Sequence, residues 1–149
     1  MTLPEPTQFE VSKMKKDVAS INILRNFQPL ILNSLTPLYT VGDGNCMYRA
    51  ISLGLYGNED MHLLLRLYTS LELVLHRATY DSNHPDFSPI ITDNRIIVPP
   101  YSDLLSSATN VFSWSEMIHM YAASAVIGEP IGSYYPPFGT SILEYTIQL

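Results

Sequence analysis

The chain of 149 residues has one cysteine, Cys46, so any thiol chemistry must centre there. It lies in the run Val41-Gly42-Asp43-Gly44-Asn45-Cys46-Met47-Tyr48-Arg49-Ala50. Glycine adopts the positive φ of a tight turn without a Cβ clash, and Asn tolerates it better than most residues. An apolar pattern at helical spacing follows. The run predicts a tight loop that delivers Cys46 to the first turn of a helix. Free N–H groups and the helix dipole at such a position favour a thiolate, the nucleophilic form of the side chain. The same N–H groups can hold a developing oxyanion.

A thiol that transfers an acyl group also needs a base, and then an acid for the leaving amine. The four histidines are scattered. His62 and His76 fall in a helical pattern and read as solvated helix residues. His84 lies in a polar loop before Pro85. His119 sits mid-helix among Met117, Ile118 and Met120 and reads as a packed or half-exposed residue. No histidine follows it. No C-x-x-C or H-E-x-x-H spacing occurs, so neither a metal site nor a cofactor is expected.

The elements that must position Cys46 follow from the apolar periodicity. Residues 1–12, with Pro4 and Pro6, read as a flexible leader, and 13–149 as one domain. Residues 18–35 form helical pieces interrupted by Pro29, and 39–41 a short extended lead-in to the loop. The Cys46 helix is expected to run to about Tyr56, with Gly57 as its stop. Asn58 reads as the N-cap of a long helix to Tyr80, with Glu59 and Asp60 in its first turn. Its apolar face is Leu64, Leu67, Tyr68, Leu71, Val74, Leu75 and Ala78, and its outer side carries His62, Arg66, Glu72, His76 and Arg77.

Beyond a polar loop over 80–89, residues 90–98 suggest a short strand or extended edge closed by Pro99-Pro100, and 102–109 a short helix. Ser113-Trp114-Ser115-Glu116 has the spacing of a capping box for a helix ending at Gly128. A strand to Tyr135 comes next, then the Tyr134-Tyr135-Pro136-Pro137 connection, whose tyrosines read as capping a sheet edge. Residues 143–149 alternate as a half-buried strand. The fold class is α+β, with helices packed on a small mixed β-sheet.

Composition narrows the function. Hydrophobic residues at 46% and charged residues at 15% describe a globular chain. A formal charge of −6, with Lys13, Lys15 and Lys16 as the one basic cluster, argues against a nucleic-acid partner. No apolar run approaches the ~18 residues of a membrane span. A single cysteine and no secretory signal pattern fit an intracellular, reducing compartment.

Asp43-Gly44-Asn45-Cys46-Met47-Tyr48-Arg49-Ala50 resembles the D-G-N-C-[LF]-[FY]-R-A signature of ovarian tumour (OTU) domain cysteine proteases, with Met47 replacing Leu or Phe. The resemblance implies a papain-like fold and cleavage of isopeptide bonds to ubiquitin. It makes Cys46 the nucleophile and Asp43, with Gly44 and Asn45, the oxyanion loop. It makes ubiquitin or ubiquitinated proteins the partner. Trp114, the helix after it and Glu129-Pro130-Ile131 are similar to the OTU layout in which a helix backs the sheet bearing the catalytic His. Residues 52–57 and the Trp-helix-Tyr-Tyr-Pro-Pro run show a weaker resemblance to its vertnin-like branch. The family takes its general-base His from a strand after that helix, where this sequence has none. The chain is therefore expected to be either a fragment lacking C-terminal strands or a degenerate member. It is expected to be weak or inactive alone as a deubiquitinase, the alternative being a non-catalytic ubiquitin-binding module on the same scaffold.

Overall fold

The structure, a computed structural model, describes residues 2–92, 96–134 and 144–147, the last four by their backbone. Helix α3 (His62–Leu75) is the element the others pack against: α2 (Cys46–Tyr56), α5 (Tyr101–Thr109) and α6 (Met117–Ile127) all contact it. Leu73, Tyr80, Leu104, Ala108, Ile118 and Ala122 form the apolar core, with Ile90 and Ile91 packed on its edge. Tyr80 closes the one-turn helix α4 (Arg77–Tyr80), which follows a break at His76.

The buried face of α3 differs from the expected one. It is Leu65, Arg66, Thr69, Ser70 and Leu73, whereas Leu67, Val74 and Leu75 are exposed. The helix carries leucines around most of its circumference, so apolar spacing alone leaves its orientation open. The stripe that is buried can afford its polar members because each is satisfied. The Thr69 and Ser70 hydroxyls donate to the carbonyls of Leu65 and Arg66 at 2.8 and 2.9 Å, and Arg66 finds acceptors outside the helix. Buried polar groups cost little when hydrogen-bonded and much when not.

Both ends of the long predicted helix also move. Asn58 Oδ1 accepts from the Asp60 N–H at 3.0 Å, an Asx turn, and α3 begins only at His62. The helix after Trp114 is capped one turn later than the Ser113-x-x-Glu116 spacing predicts. Glu116 is the N-cap of α6, and its box partner is His119. Two helix ends match their signals. Gly57 and Gly128 end α2 and α6 at φ of 72° and 70°, where a side chain would be strained.

Helix α1 (Val18–Phe27) is capped by Asp17, whose side chain accepts from the Ser20 N–H, and a 3-10 turn over Pro29–Asn33 follows. An antiparallel bridge between Lys16 and Leu38 leads the chain to the Cys46 loop. Residues near the N-terminus cover the end of α2: the Thr7 N–H donates to Leu55 O at 3.0 Å and its hydroxyl to Tyr56 O at 2.9 Å. Those carbonyls have no partner within the helix.

Among the described residues the small mixed sheet is replaced by one antiparallel pair. Strand β1 (Ile131–Tyr134) pairs with β2 (Glu144–Ile147), Ile131 opposite Ile147 and Tyr134 opposite Glu144. The described part of 90–98 forms no strand; Ile90 and Ile91 serve the core instead. Tyr135, Pro136, Pro137 and the side chains of 143–149 lie outside the described residues. No described helix is long and apolar enough to cross a membrane. The orientation of α3 is testable. Leu65→Ala should cost ~2–5 kcal/mol in urea denaturation, whereas Leu67→Ala should stay within ~0.5 kcal/mol.

Candidate active site

Cys46 is the first residue of α2 and is half-buried. Asp43 folds the loop before it. Its Oδ1 accepts from the Asn45 N–H at 2.8 Å, and its backbone oxygen accepts from the Cys46 N–H at 3.0 Å. Arg49, one turn into α2, returns to Asp43 with Nε at 3.2 Å from each carboxylate oxygen and Nη2 at 2.9 Å from Oδ2. Its Nη1 reaches Glu59 Oε2 at 3.0 Å, while Glu59 Oε1 accepts from the Val41 N–H at 3.1 Å. The loop over 41–46 is thereby clamped to α2 and to the connection before α3. Arg49 above all holds the Asp43 carboxyl down, to about 2, because it bonds the charged form.

The loop is tight for a different reason from the one its glycines predict. Among the described residues only Gly57 and Gly128 have positive φ. Asn45 sits at φ −98°, ψ 3°. Gly44 is required by close approach instead: a Cβ there would lie 1.9 Å from Phe112 O and 2.8 Å from Phe112 Cα. Backbone of the turn after α5 thus lies directly against the loop before α2.

Arg66 joins the same two segments. Its side chain is buried, its Nη1 bonding Gly44 O at 3.0 Å, Asn45 Oδ1 at 2.8 Å and Val111 O at 3.3 Å. Nε donates to Ala108 O at 2.8 Å, and Nη2 to Ser107 O at 2.5 Å and Ser113 O at 3.0 Å. The guanidinium also lies 5.1 Å from the centre of the buried Tyr48 ring, a cation–π distance. Among the described residues no carboxylate bonds it, and burial pushes its pKa down from the ordinary arginine value.

The structure brings Asp43, Gly44, Asn45 and Cys46 together in one turn and gives Cys46 no histidine. His119 is fully buried; its Nδ1 accepts from the Glu116 N–H at 2.7 Å, which leaves Nε2–H to donate to Leu104 O at 2.8 Å. Burial lowers its pKa, so it is a neutral structural imidazole with both nitrogens used. His62 and His76 bond to Glu59 O and Glu72 Oε2, and His84 Nδ1 accepts from the Asp86 N–H. Among the described residues no cluster of His, Cys, Asp and Glu could hold a metal ion.

Arg49, Glu59 and Arg66 are the site residues that sequence reasoning did not assign. Arg49 had a signal in its fixed place within the run around Cys46. Glu59 reads as a helix-dipole residue and Arg66 as a solvated one, and nothing in their spacing says otherwise.

Residues 37–97 match the OTU domain of vertnin. The chain is 28% identical to vertnin of Bos taurus over 95% of its length and 28% identical to vertnin of Homo sapiens over 75%. It is 32% identical, over 60% of its length, to ovarian tumour domain-containing deubiquitinating enzyme 7 of Arabidopsis thaliana. These alignments cover 23%, 18% and 21% of the respective relatives, so the chain spans about a fifth of their length. No solved structure matches it significantly.

Two outcomes follow from this geometry. Gly44→Ala forces a methyl into backbone and should destabilise by ~1–3 kcal/mol in thermal or urea unfolding. Asp43, with its folded pKa below the ordinary 3.8, stabilises the fold above that pH. The contribution should fade as pH falls from about 4 towards about 2. Acid titration of unfolding should therefore be shallower over that window in Asp43→Asn.

Proposed function

We propose that the chain, which is similar to the OTU domain of vertnin over residues 37–97, engages ubiquitin-modified proteins through an OTU-type thiol isopeptidase site. In this reading Cys46 is the nucleophile, and this chain by itself is weakly active or inactive. The placement of the half-buried Cys46 at the first residue of α2, after a loop pinned through Asp43, carries the reading. A Cys46 thiolate would attack the carbonyl carbon of the isopeptide bond, forming an S–C bond and a tetrahedral oxyanion. Collapse of that oxyanion breaks the C–N bond, and the departing lysine amine takes up a proton. Water then hydrolyses the thioester. Asp43, Gly44 and Asn45 form the loop over which the oxyanion develops.

Two features limit the rate. All four histidines are engaged elsewhere, and a missing positioned acid/base costs ~10²–10⁴. The Asn45 and Cys46 N–H groups both donate to Asp43, so Asp43 must let go before they can serve an oxyanion. These same two observations favour the second reading, ubiquitin binding without cleavage.

Incubation with a ubiquitin propargylamide probe, beside a ubiquitin-binding titration of wild type and Cys46→Ala, separates the readings. Slow labelling confined to Cys46 supports the weak enzyme. Binding that survives Cys46→Ala with no labelling supports the binding module. Rapid stoichiometric labelling contradicts the expected weakness, and neither labelling nor binding contradicts both readings.

A further inference from the structure

We propose that Arg66 is the positioning residue for Cys46, locking the loop before α2 to the segment over 107–113 so that the two move as one unit. What the loop is positioned for rests on the reading of Cys46 as nucleophile; the locking itself does not. Its acceptors fall in two groups far apart in sequence. Gly44 O and Asn45 Oδ1 belong to the loop, and the carbonyls of Ser107, Ala108, Val111 and Ser113 to the end of α5 and the turn beyond. A guanidinium presents five N–H donors in a rigid planar fork, and here all three nitrogens are used.

A second contact reinforces the pairing, since Gly44 leaves room only for the Phe112 backbone. Asn45 is the residue immediately before the thiol, and its backbone oxygen accepts from the Arg49 N–H at 2.9 Å within the first turn of α2. Displacing Asn45 therefore displaces Cys46. A lysine at position 66 would keep the charge but concentrate its donors at one point. It could not hold both groups of carbonyls.

The test uses Arg66→Lys and Arg66→Met in the 149-residue chain. Amide exchange at 44–46 and 107–113 should quicken together by ~10–100-fold in both variants, with α1 unchanged. The ratio of ubiquitin propargylamide labelling to iodoacetamide alkylation of Cys46 should fall at least ~10-fold. The fall must lie in the probe labelling rate itself, because plain loosening would lower the ratio only by raising the alkylation. The proposal is overturned if Arg66→Lys keeps both the wild-type exchange pattern and the ratio, or if only one segment quickens. Should neither variant fold, wild-type exchange in low urea decides: one shared opening of the two segments is expected, and separate openings overturn the coupling. A wild type that the ubiquitin probe never labels would refute the isopeptidase reading alone, because exchange still reports the lock.

Discussion

A guanidinium enclosed by uncharged acceptors holds this fold together at its most consequential point. Moving a charged side chain out of water costs several kcal/mol, and Arg66 meets that cost without a carboxylate. Five backbone carbonyls and the Asn45 side chain surround it, and the Tyr48 ring lies beside it. The bonds run both ways in effect. The carbonyls at the end of α5 have no helical partners, and they would be stranded without the arginine. The orientation of α3, the path of the turn over 110–113 and the shape of the Cys46 loop are solutions to the same hydrogen-bonding requirement.

A second arginine completes the loop from the opposite side. Arg49 ties Asp43 to Glu59 near the surface, where ion pairs are individually weak. Its geometry nonetheless fixes the carboxylate that holds the Asn45 N–H, in the residue whose backbone oxygen holds the Cys46 N–H. The loop is thus pinned from the interior by carbonyl-to-guanidinium bonds and from the outside by an ion-pair network. Holding the loop this firmly sets the sulfur in place. It also keeps the Asn45 and Cys46 N–H groups bonded to Asp43.

Much of this was legible in the sequence where a residue type has one dominant local use. Glycine after a run of helix formers marked the ends of α2 and α6, Pro29 marked the end of α1, and the run around Cys46 marked loop and helix start together. Legibility failed where several uses compete. Leucines on most sides of α3 made its buried stripe ambiguous, and only the tertiary acceptors for Arg66, Thr69 and Ser70 settle it. Ser113 and Glu116 have capping-box spacing, yet Ser113 gives its carbonyl to Arg66 and Glu116 caps with His119 instead. Gly44 looked like a backbone-conformation glycine and is a close-approach glycine, a distinction that requires knowing that Phe112 lies against it. The apolar residues at 90 and 91 read as part of a short strand or an extended edge, yet they pack, half-buried, on the core, and apolar residues leave the same trace in sequence in either role.

The enclosure of Arg66 can be observed directly by nitrogen-15 NMR of the wild-type side chain. An enclosed Arg66 should give separate, slowly exchanging Nη resonances and a scalar coupling across the Nε–H bond to the Ala108 carbonyl carbon. A single averaged, rapidly exchanging set of Nη signals, as from an arginine in water, would contradict it.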